Sequence, residues 1–304
     1  FATVGVNVVT GVNTVVDAAG TSSANSGISA SITGATNVNQ LVVTANGSVT
    51  GKGASGSPDG INVANAGLGA TTITTGSSST VNGGDDAIQV QVTNAANTKA
   101  TTITVNGALN ANATSGAGWG VNSSTAGTGG ITTTISSTGT ISGVATNGVV
   151  QSDSGTAGDN TVLVNGVIGS SGNPIDFDGV SASQTNGATT GVVNVTVNGS
   201  IFAASNGVIA SNASKGLTVS VNTGATVTGG GSNAANAVIF VDSASGQTST
   251  INTAGTGLVR SNDATLAGQY GAVALAGQNG NVVINNGGTL RGRVDFSGLT
   301  GTNN

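Results

Sequence analysis

Residues 41–51 read LVVTANGSVTG: alternating β-branched residues, an Asn-Gly turn and a second short apolar run. Residues 101–111 repeat the pattern as TTITVNGALNA, residues 194–203 as NVTVNGSIFA and residues 282–292 as VVINNGGTLRG. Alternation with a period of two is typical of a β-strand with one buried face. Asn and Gly accept the positive φ angles of tight turns, so each unit predicts a strand, a corner and a second strand.

The unit recurs at intervals of roughly thirty residues, which is the spacing of a repeat architecture. A further strand signal follows each unit, as in GINV at 60–63, AIQVQV at 87–92 and AVIFV at 237–241. We therefore predict an all-β fold, a β-solenoid (parallel β-helix) of about ten coils of roughly thirty residues each. The units begin at Leu41, Thr71, Thr101, Ile131, Thr161, Asn194, Thr218, Ser249 and Asn281.

The composition fits such a fold and excludes several kinds of active site. Charged residues make up 6% of the chain and aromatic residues 2%, whereas Gly occurs 52 times. A stacked coil needs only a narrow column of Val, Ile, Leu and Ala as its core. Because His and Cys are absent, Ser-His-Asp and Cys-His catalytic groups are excluded, as are zinc sites built from those ligands.

The charge and hydropathy of the chain also bound its partners. Six Lys and Arg in 304 residues, with a net charge of −5, cannot form a stripe that neutralises phosphates, so we predict no nucleic-acid partner. No apolar run approaches the roughly 18 residues of a transmembrane helix, so we predict no membrane span. Phe1 stands where an initiator Met is expected, which predicts a removed signal peptide and a secreted, extracellular or cell-surface location.

We predict two segments: residues 1–39 as an N-terminal capping or assembly segment, and residues 40–304 as one continuous array of repeats. Residues 1–16, FATVGVNVVTGVNTVV, carry the most continuous alternating pattern in the chain. This stretch either caps the first coil or pairs with the open strand edge of another copy. The candidate assembly residues within it are Phe1, Val4, Val6 and Val8.

The C-terminal end carries the densest charge cluster, Arg291, Arg293 and Asp295. On a single strand these three side chains share one face, so we expect a surface row of ion pairs or a contact between subunits. Residues 295–304 carry no obvious cap. Because uncapped solenoid ends present unpaired N–H and C=O groups, we predict a homo-oligomer or polymer, with a host or neighbouring cell surface as the other candidate partner.

The Asn-Gly turns, NPIDFDG at 173–179 and GRVDFSG at 292–298 resemble the passenger regions of bacterial autotransporters. Bacterial surface adhesins, filamentous haemagglutinins and some S-layer proteins share this composition. The resemblance covers residues 40–298 and implies a β-solenoid exported to the cell surface, with roles in attachment or in building a surface structure.

Carboxylates suggest two further sites. Asp176 and Asp178 are two residues apart, and we expect both to point to solvent while Ile175 and Phe177 point inward. A pair of carboxylates is what a glycoside hydrolase uses, but we predict no enzyme, because solvated side chains explain the pair better. Asp85 and Asp86 are candidate calcium ligands and hence the one cofactor candidate; the alternative is a solvated turn.

Four Asn residues recur just before the turn Gly of a unit. Stacked amides can bond to one another from layer to layer, as they do in cross-β structures. We therefore predict a structural amide ladder that runs along one corner of the solenoid. Its members are Asn46, Asn106, Asn165 and Asn198.

Three classes of function remain from the sequence. A self-assembling surface rod explains the lack of catalytic residues and the open ends. An adhesin passenger would hold a contact surface away from the cell and would need a binding tip or an aromatic groove. A polysaccharide-degrading enzyme would need charged residues clustered on one face, which a chain with 6% charged residues hardly supplies.

Overall fold

The computed structural model describes residues 5–17, 25–52, 58–111, 118–142, 146–230, 236–261 and 273–298. Within these residues the regular elements are thirty β-strands, and every coil contributes one strand to each of three ten-stranded parallel sheets. The β-solenoid predicted from the repeat is confirmed. Ten rungs at about 4.8 Å each give a rod of about 45 Å.

Sheet 1 collects the first strand of every coil. It contains β1 (Val6–Thr10), β4 (Leu41–Ala45), β7 (Thr71–Thr75), β10 (Thr101–Val105), β13 (Ile131–Ile135), β16 (Asn160–Val164), β19 (Val193–Val197), β22 (Leu217–Val221), β25 (Thr248–Thr253) and β28 (Asn281–Asn286).

Sheet 2 collects the second strand of every coil, and these strands are shorter. It contains β2 (Val15–Asp17), β5 (Ser48–Thr50), β8 (Thr80–Gly83), β11 (Ala108–Ala111), β14 (Thr140–Ser142), β17 (Val167–Ile168), β20 (Ser200–Phe202), β23 (Thr226–Gly229), β26 (Leu258–Ser261) and β29 (Thr289–Arg291).

Sheet 3 completes each coil. It contains β3 (Ile28–Ile32), β6 (Ile61–Asn65), β9 (Ile88–Val92), β12 (Trp119–Thr125), β15 (Asn147–Asp153), β18 (Asp178–Gln184), β21 (Val208–Asn212), β24 (Ile239–Ser243), β27 (Val273–Gln278) and β30 (Arg293–Gly298).

Each strand pairs in parallel with its equivalents one coil before and one coil after. Leu41 lies opposite Thr71, Thr71 opposite Thr101, and Thr101 opposite Ile131, so these coils are thirty residues long. Because side chains alternate along a strand, this register places like positions above one another on the same side of the wall. The first three strands, within residues 6–32, form the first coil and continue directly into the repeats.

The core is a set of vertical columns of small β-branched and aliphatic side chains. In sheet 2 the second residue of the strand points inward and carries Val49, Val81, Leu109 and Ile141 in successive coils, each essentially fully buried. Stacking lets every coil cover its neighbours, so the core grows along the axis without bulky aromatic residues.

The corner from sheet 1 to sheet 2 explains the recurring Asn-Gly. At Gly199 the backbone passes so close to the preceding coil that a Cβ atom would lie 2.0 Å from the carbonyl oxygen of Gly166. Only Gly avoids this contact without a shift of the backbone. The turn residue is therefore fixed by the distance between coils as well as by the turn.

The structure differs from the sequence prediction in the start of several units. Ile131 lies opposite Asn160, and the next coils continue the register with Val193 and Leu217. The units predicted to begin at Thr161, Asn194 and Thr218 therefore begin one residue earlier. The error arises because Thr and Asn occupy outward positions in some coils and inward positions in others.

The N-terminal run of alternating residues also contains a corner that its pattern does not reveal. Strand β1 ends at Thr10 and β2 begins at Val15. Asn13 has a φ of 63°, a left-handed conformation that Asn tolerates better than most residues. Apolar residues thus continue across a turn, and Val12 lies exposed within it.

Candidate assembly surfaces at the two ends of the solenoid

The N-terminal face, formed by β1, β2 and β3, begins all three sheets. In the described part of the chain, no strand pairs with the outer edge of any of these three strands. Their backbone N–H and C=O groups on that side are available to another strand. The face is therefore a ready template for parallel β-pairing.

Exposed large apolar side chains concentrate in this first coil. Val9, Val12, Val15 and Val38 have exposed fractions of 62%, 66%, 73% and 67%. Elsewhere in the described residues, the exposed large apolar side chains are Val167, Phe177 and Val294. Clustering of apolar surface at one end of a rod marks an interaction surface more strongly than scattered residues do.

The inward-pointing residues of β1 and β2 are only half covered, whereas Ile28, Ala30 and Ile32 of β3 are buried. Val6, Val8 and Val16 pack against the core on one side but stay partly accessible. In the interior of the rod the equivalent positions are fully buried because coils cover them from both sides. Another coil placed on this face would complete the three columns.

The C-terminal face, formed by β28, β29 and β30, has the same character. Ile284, Leu290 and Phe296 pack against the core and stay partly accessible. The outer edges of the three strands carry no pairing strand among the described residues. Strand β30 pairs irregularly with β27, with register shifts at two places, so sheets 1 and 2 present the regular edges at this end.

The charged cluster at the C-terminal end divides between two strands. Arg291 ends β29, Gly292 turns the chain with a φ of 138°, and Arg293 begins β30. The expectation of one shared face was therefore wrong, because the chain turns between the two Arg residues. Arg293 Nη1 lies 3.1 Å from Asp295 Oδ2.

Asp295 also accepts hydrogen bonds from the backbone N–H and the hydroxyl of Ser297, at 3.1 and 2.7 Å. These bonds, together with the charge of Arg293, hold the pKa of the Asp295 carboxyl below its usual value. Asp295 thus stays ionised and bonded within its own coil.

Of the predicted N-terminal assembly residues, Val6 and Val8 lie in β1, whereas Phe1 and Val4 lie outside the described residues.

The four Asn residues predicted to stack all lie at the corner from sheet 1 to sheet 2. Asn198 Nδ2 donates to Asn165 Oδ1 at 2.7 Å, and Asn222 Nδ2 donates to Asn198 Oδ1 at 2.6 Å. Asn222 is a member that the sequence prediction missed, because Thr rather than Gly follows it.

The other two predicted members do not bond to Asn. Asn46 Nδ2 donates to the carbonyl of Thr10 at 3.0 Å, and Asn106 Nδ2 donates to that of Thr75 at 2.8 Å. Each bond joins one coil to the preceding coil. Gly76 occupies the equivalent place in the coil between them, so no amide can link Asn46 to Asn106.

The calcium candidates differ in exposure. Asp86 is fully buried, and its Oδ1 accepts the backbone N–H of Trp119 at 3.1 Å while Oδ2 accepts from Asn122 Nδ2 at 2.8 Å. Asp85 is half-buried. Within the described ranges, no group of three or more His, Cys, Asp or Glu is arranged to hold a metal ion.

Asp86 belongs to a column that sequence reasoning missed. In several coils an Asp or Asn stands at the corner that leads into sheet 3, two residues before the first inward residue of the strand. Its side chain forms a hydrogen bond with the backbone at the same corner of the next coil. Asn147 Oδ1 accepts from the backbone N–H of Asp178 at 3.0 Å, and Asp178 Oδ1 accepts from that of Asn206 at 3.1 Å. The signal was a recurring Asx residue followed by Gly, or by Ala after Asp86, and then by a β-branched residue. Its members, which we call the corner column, are Asp59, Asp86, Asn147, Asp178 and Asn206.

Burial of these carboxyls raises their pKa values. Desolvation raises the pKa of Asp59 to about 6 and that of Asp86 to about 7. The hydrogen bonds that each carboxyl accepts lower its pKa, but by less than burial raises it. The pKa of Asp178 is also raised by burial. The same cause raises the pKa of Asp153, fully buried at the end of β15, to about 6.

The orientation predicted around Asp176 was wrong in part. Ile175 is fully buried, as expected, but Phe177 is 52% exposed and Asp178 is buried. Asp176 and Phe177 lie in a bend before β18, so the strand alternation does not extend across them. Asp176 is exposed, and the two carboxyls do not share a face.

No helix among the described residues has the length and hydropathy to cross a membrane. No protein-family model matches the chain, and neither a curated protein nor a solved structure matches it.

Proposed function

We propose that this chain is a structural β-solenoid rod that assembles end to end, through its two terminal coils, into an extracellular filament or layer. The observation that carries the proposal is the state of the ends. Each terminal coil presents unpaired parallel strand edges in the described residues, together with three partly covered inward apolar side chains.

The two faces are complementary in direction. All strands in a sheet are parallel, so the C-terminal face of one copy can continue the sheets of the next copy only in a head-to-tail arrangement. A head-to-tail contact that does not close into a ring propagates into an open filament. Each added copy would bury apolar residues of both faces and satisfy their edge groups.

The composition supports a structural role outside the cell. With no His, Cys or Glu and 6% charged residues, the chain offers few of the side chains that catalysis uses. The resemblance to exported surface proteins supports secretion. We therefore propose no enzymatic activity and a location at the bacterial surface or beyond it.

Negative-stain electron microscopy of the purified chain at neutral pH tests the proposal, with and without calcium. We expect filaments or sheets in both buffers, built from units of about 45 to 50 Å along the axis. Fibre diffraction should give a meridional reflection at about 4.8 Å, because the strands run across the filament.

Single rods that persist at the highest accessible concentration would contradict assembly. In that case the adhesin class becomes the better candidate, and binding to cells and glycans is the next measurement. Filaments that require calcium would point to a metal contact in the assembled form.

A further inference from the structure

One outward column of sheet 2 carries opposite charges at its two ends. In every sheet 2 strand except β17, which has two residues, the third residue follows the inward one and lies on the outer side of the wall. Asp17 holds this position in the first coil and Arg291 in the last. The coil before Arg291 has Arg260 there, and the paired positions between are uncharged. In coil order the whole column consists of Asp17, Thr50, Asn82, Asn110, Ser142, Phe202, Thr228, Arg260 and Arg291.

Side chains in this column, which we call the sheet 2 outer column, contact their neighbours one coil away. Asn82 Nδ2 donates to Thr50 Oγ1 at 3.3 Å, Asn110 Nδ2 to Asn82 Oδ1 at 2.9 Å, and Ser142 Oγ to Asn110 Oδ1 at 2.7 Å. Residues at this position therefore interact directly along the axis. A residue stacked on either end of the column would do the same.

At the C-terminal end of the column, the positive charges have no counter-ion among the described residues. Arg291 pairs directly with Arg260 in adjacent strands. Neither guanidinium forms an ion pair with a described residue, and Arg260 Nε is buried without a hydrogen-bond partner. Two like charges on neighbouring strands repel each other, so this end of the column favours an incoming carboxylate.

The N-terminal end of the column supplies such a carboxylate. The Asp17 side chain is 42% exposed, and Lys52 Nζ contacts its Oδ2 at 2.8 Å from the side of the following coil. Among the described residues, no strand pairs with the opposite side of β2, which is the outer edge of sheet 2. A carboxylate can accept from two cations at once, because it has about four lone-pair sites.

We propose that copies stack with β29 of one copy added in parallel to β2 of the next, Arg291 opposite Asp17, in the register that joins every other coil of sheet 2. The inference rests on the proposed end-to-end assembly and specifies its partner as a second copy of this chain. The same register places Leu290 over Val16 and Thr289 over Val15, so inward and outward faces both match.

Sheet 1 agrees with this register. Continuing its pairing places Val282 over Val6 and Ile284 over Val8, because Val282 and Val6 hold the same position in their strands, as do Ile284 and Val8. Val8 and Ile284 are both partly covered residues of their faces. Stacking one copy on the next in this register therefore covers partly exposed inward residues in both sheet 1 and sheet 2.

Charge reversal tests the pairing. Asp17→Arg and Arg291→Asp each place like charges opposite one another in the filament, and we expect each to raise the critical concentration for assembly at least ~10-fold at low salt. The double variant Asp17→Arg/Arg291→Asp restores opposite charges, and we expect it to assemble within about threefold of the natural chain. Asp176→Arg and Lys99→Asp are matched controls, since both residues are exposed and lie away from the ends.

A disulfide test fixes the register independently of charge. The chain has no Cys, so the double variant Val15→Cys/Thr289→Cys can form disulfides only through the introduced thiols. In the proposed register the two positions lie opposite each other on adjacent strands, within the Cα separation that a disulfide spans. We expect a ladder of covalent multimers on a non-reducing gel after mild oxidation, and none from Lys99→Cys/Thr289→Cys.

Failure of the register and failure of assembly give different results. Filaments of the natural chain that form equally well from both single reversals, without a Val15→Cys/Thr289→Cys ladder, would overturn the register and leave end-to-end assembly intact. Absence of filaments from the natural chain would overturn both. Circular dichroism of each variant shows whether a failed assembly reflects a failed fold.

Discussion

Oδ1 of Asp86 accepts a hydrogen bond from the backbone N–H of Trp119, 3.1 Å away at the same corner of the next coil. The carboxyl is fully buried and also accepts from Asn122 Nδ2. The bond satisfies a backbone donor where the chain turns into sheet 3, but the burial disfavours the charged form. A structural link between coils is thus made by a group that titrates near neutral pH.

We predict that stability falls as pH rises from about 4 to about 7. Burial raises the pKa values of Asp59 and Asp153 to about 6 and that of Asp86 to about 7, whereas an unfolded Asp titrates near 3.9. Between these values the folded chain binds more protons than the unfolded chain, so the free energy of unfolding decreases with pH, by several kcal/mol in order of magnitude.

Denaturant midpoints measured at pH 4, 5.5, 7 and 8 check this pH dependence. We expect the midpoint to drop between pH 4 and 7 and to level off above pH 7. A midpoint that rises steadily over the same interval would show that these carboxyls are ionised in the folded state.

Asp86→Asn should raise the stability at pH 8 by about 1–3 kcal/mol and leave it nearly unchanged at pH 4. Asn147 and Asn206 occupy the corner column in other coils, so the amide fits the site. It keeps an acceptor for the Trp119 N–H and carries no charge to desolvate. Urea midpoints at both pH values make the comparison, with the exposed Asp176→Asn as control. An equal gain at both pH values would exclude the titration as the cause.

Gly199→Ala should destabilise the rod by about 2 kcal/mol or more, because the added Cβ would meet the carbonyl oxygen of Gly166 in the coil before. Gly187→Ala is the matched control: nothing lies within 4 Å of its added Cβ, so we expect a change within about 0.5 kcal/mol. Thermal midpoints of the two variants give the comparison. Similar midpoints would mean that the coils can separate at this corner at little cost.

The repeat made the stacking of the coils predictable, since Leu41, Thr71, Thr101 and Ile131 were placed in their observed register by pattern alone. The number of sheets was not predictable from it. At Thr161, Asn194 and Thr218 the prediction slipped by one residue, because the pattern there begins on an outward residue, whereas Ser249 lies in the predicted register. A period of two has two phases, and only burial distinguishes them. Thr and Asn, which occur on both faces here, leave the phase open.

The corners were harder to predict than the strands. Phe177 and Asp178 exchange the orientations expected of an apolar and a charged residue, because the bend before β18 breaks the alternation. Asp178 is buried because it bonds the Asn206 N–H in the next coil, a contact about thirty residues away in sequence. Local pattern contains no information on that contact, although the repeated Asx-Gly signals it once coils are aligned.

One inward column of sheet 2 allows a residue in the interior of the rod to be compared with a residue at its C-terminal end. Leu290 and Ile201 hold the same inward position of sheet 2, but Ile201 is covered by coils on both sides and Leu290 on one. Ile201→Ala should therefore cost the folded monomer about 2–5 kcal/mol, the usual cost of truncating a buried aliphatic side chain. Leu290→Ala should cost the monomer less, since part of its surface is already in water.

In assembly the order should reverse. Leu290→Ala removes apolar area that is buried only when the next copy covers the C-terminal face, so we expect a critical concentration several-fold higher than that of the natural chain. Ile201→Ala leaves both faces intact and should assemble normally at temperatures where it is folded. Denaturant midpoints of dilute monomer and light scattering at increasing concentration separate the two effects. A Leu290→Ala chain that assembles at the natural concentration would show that the C-terminal face is not the contact surface.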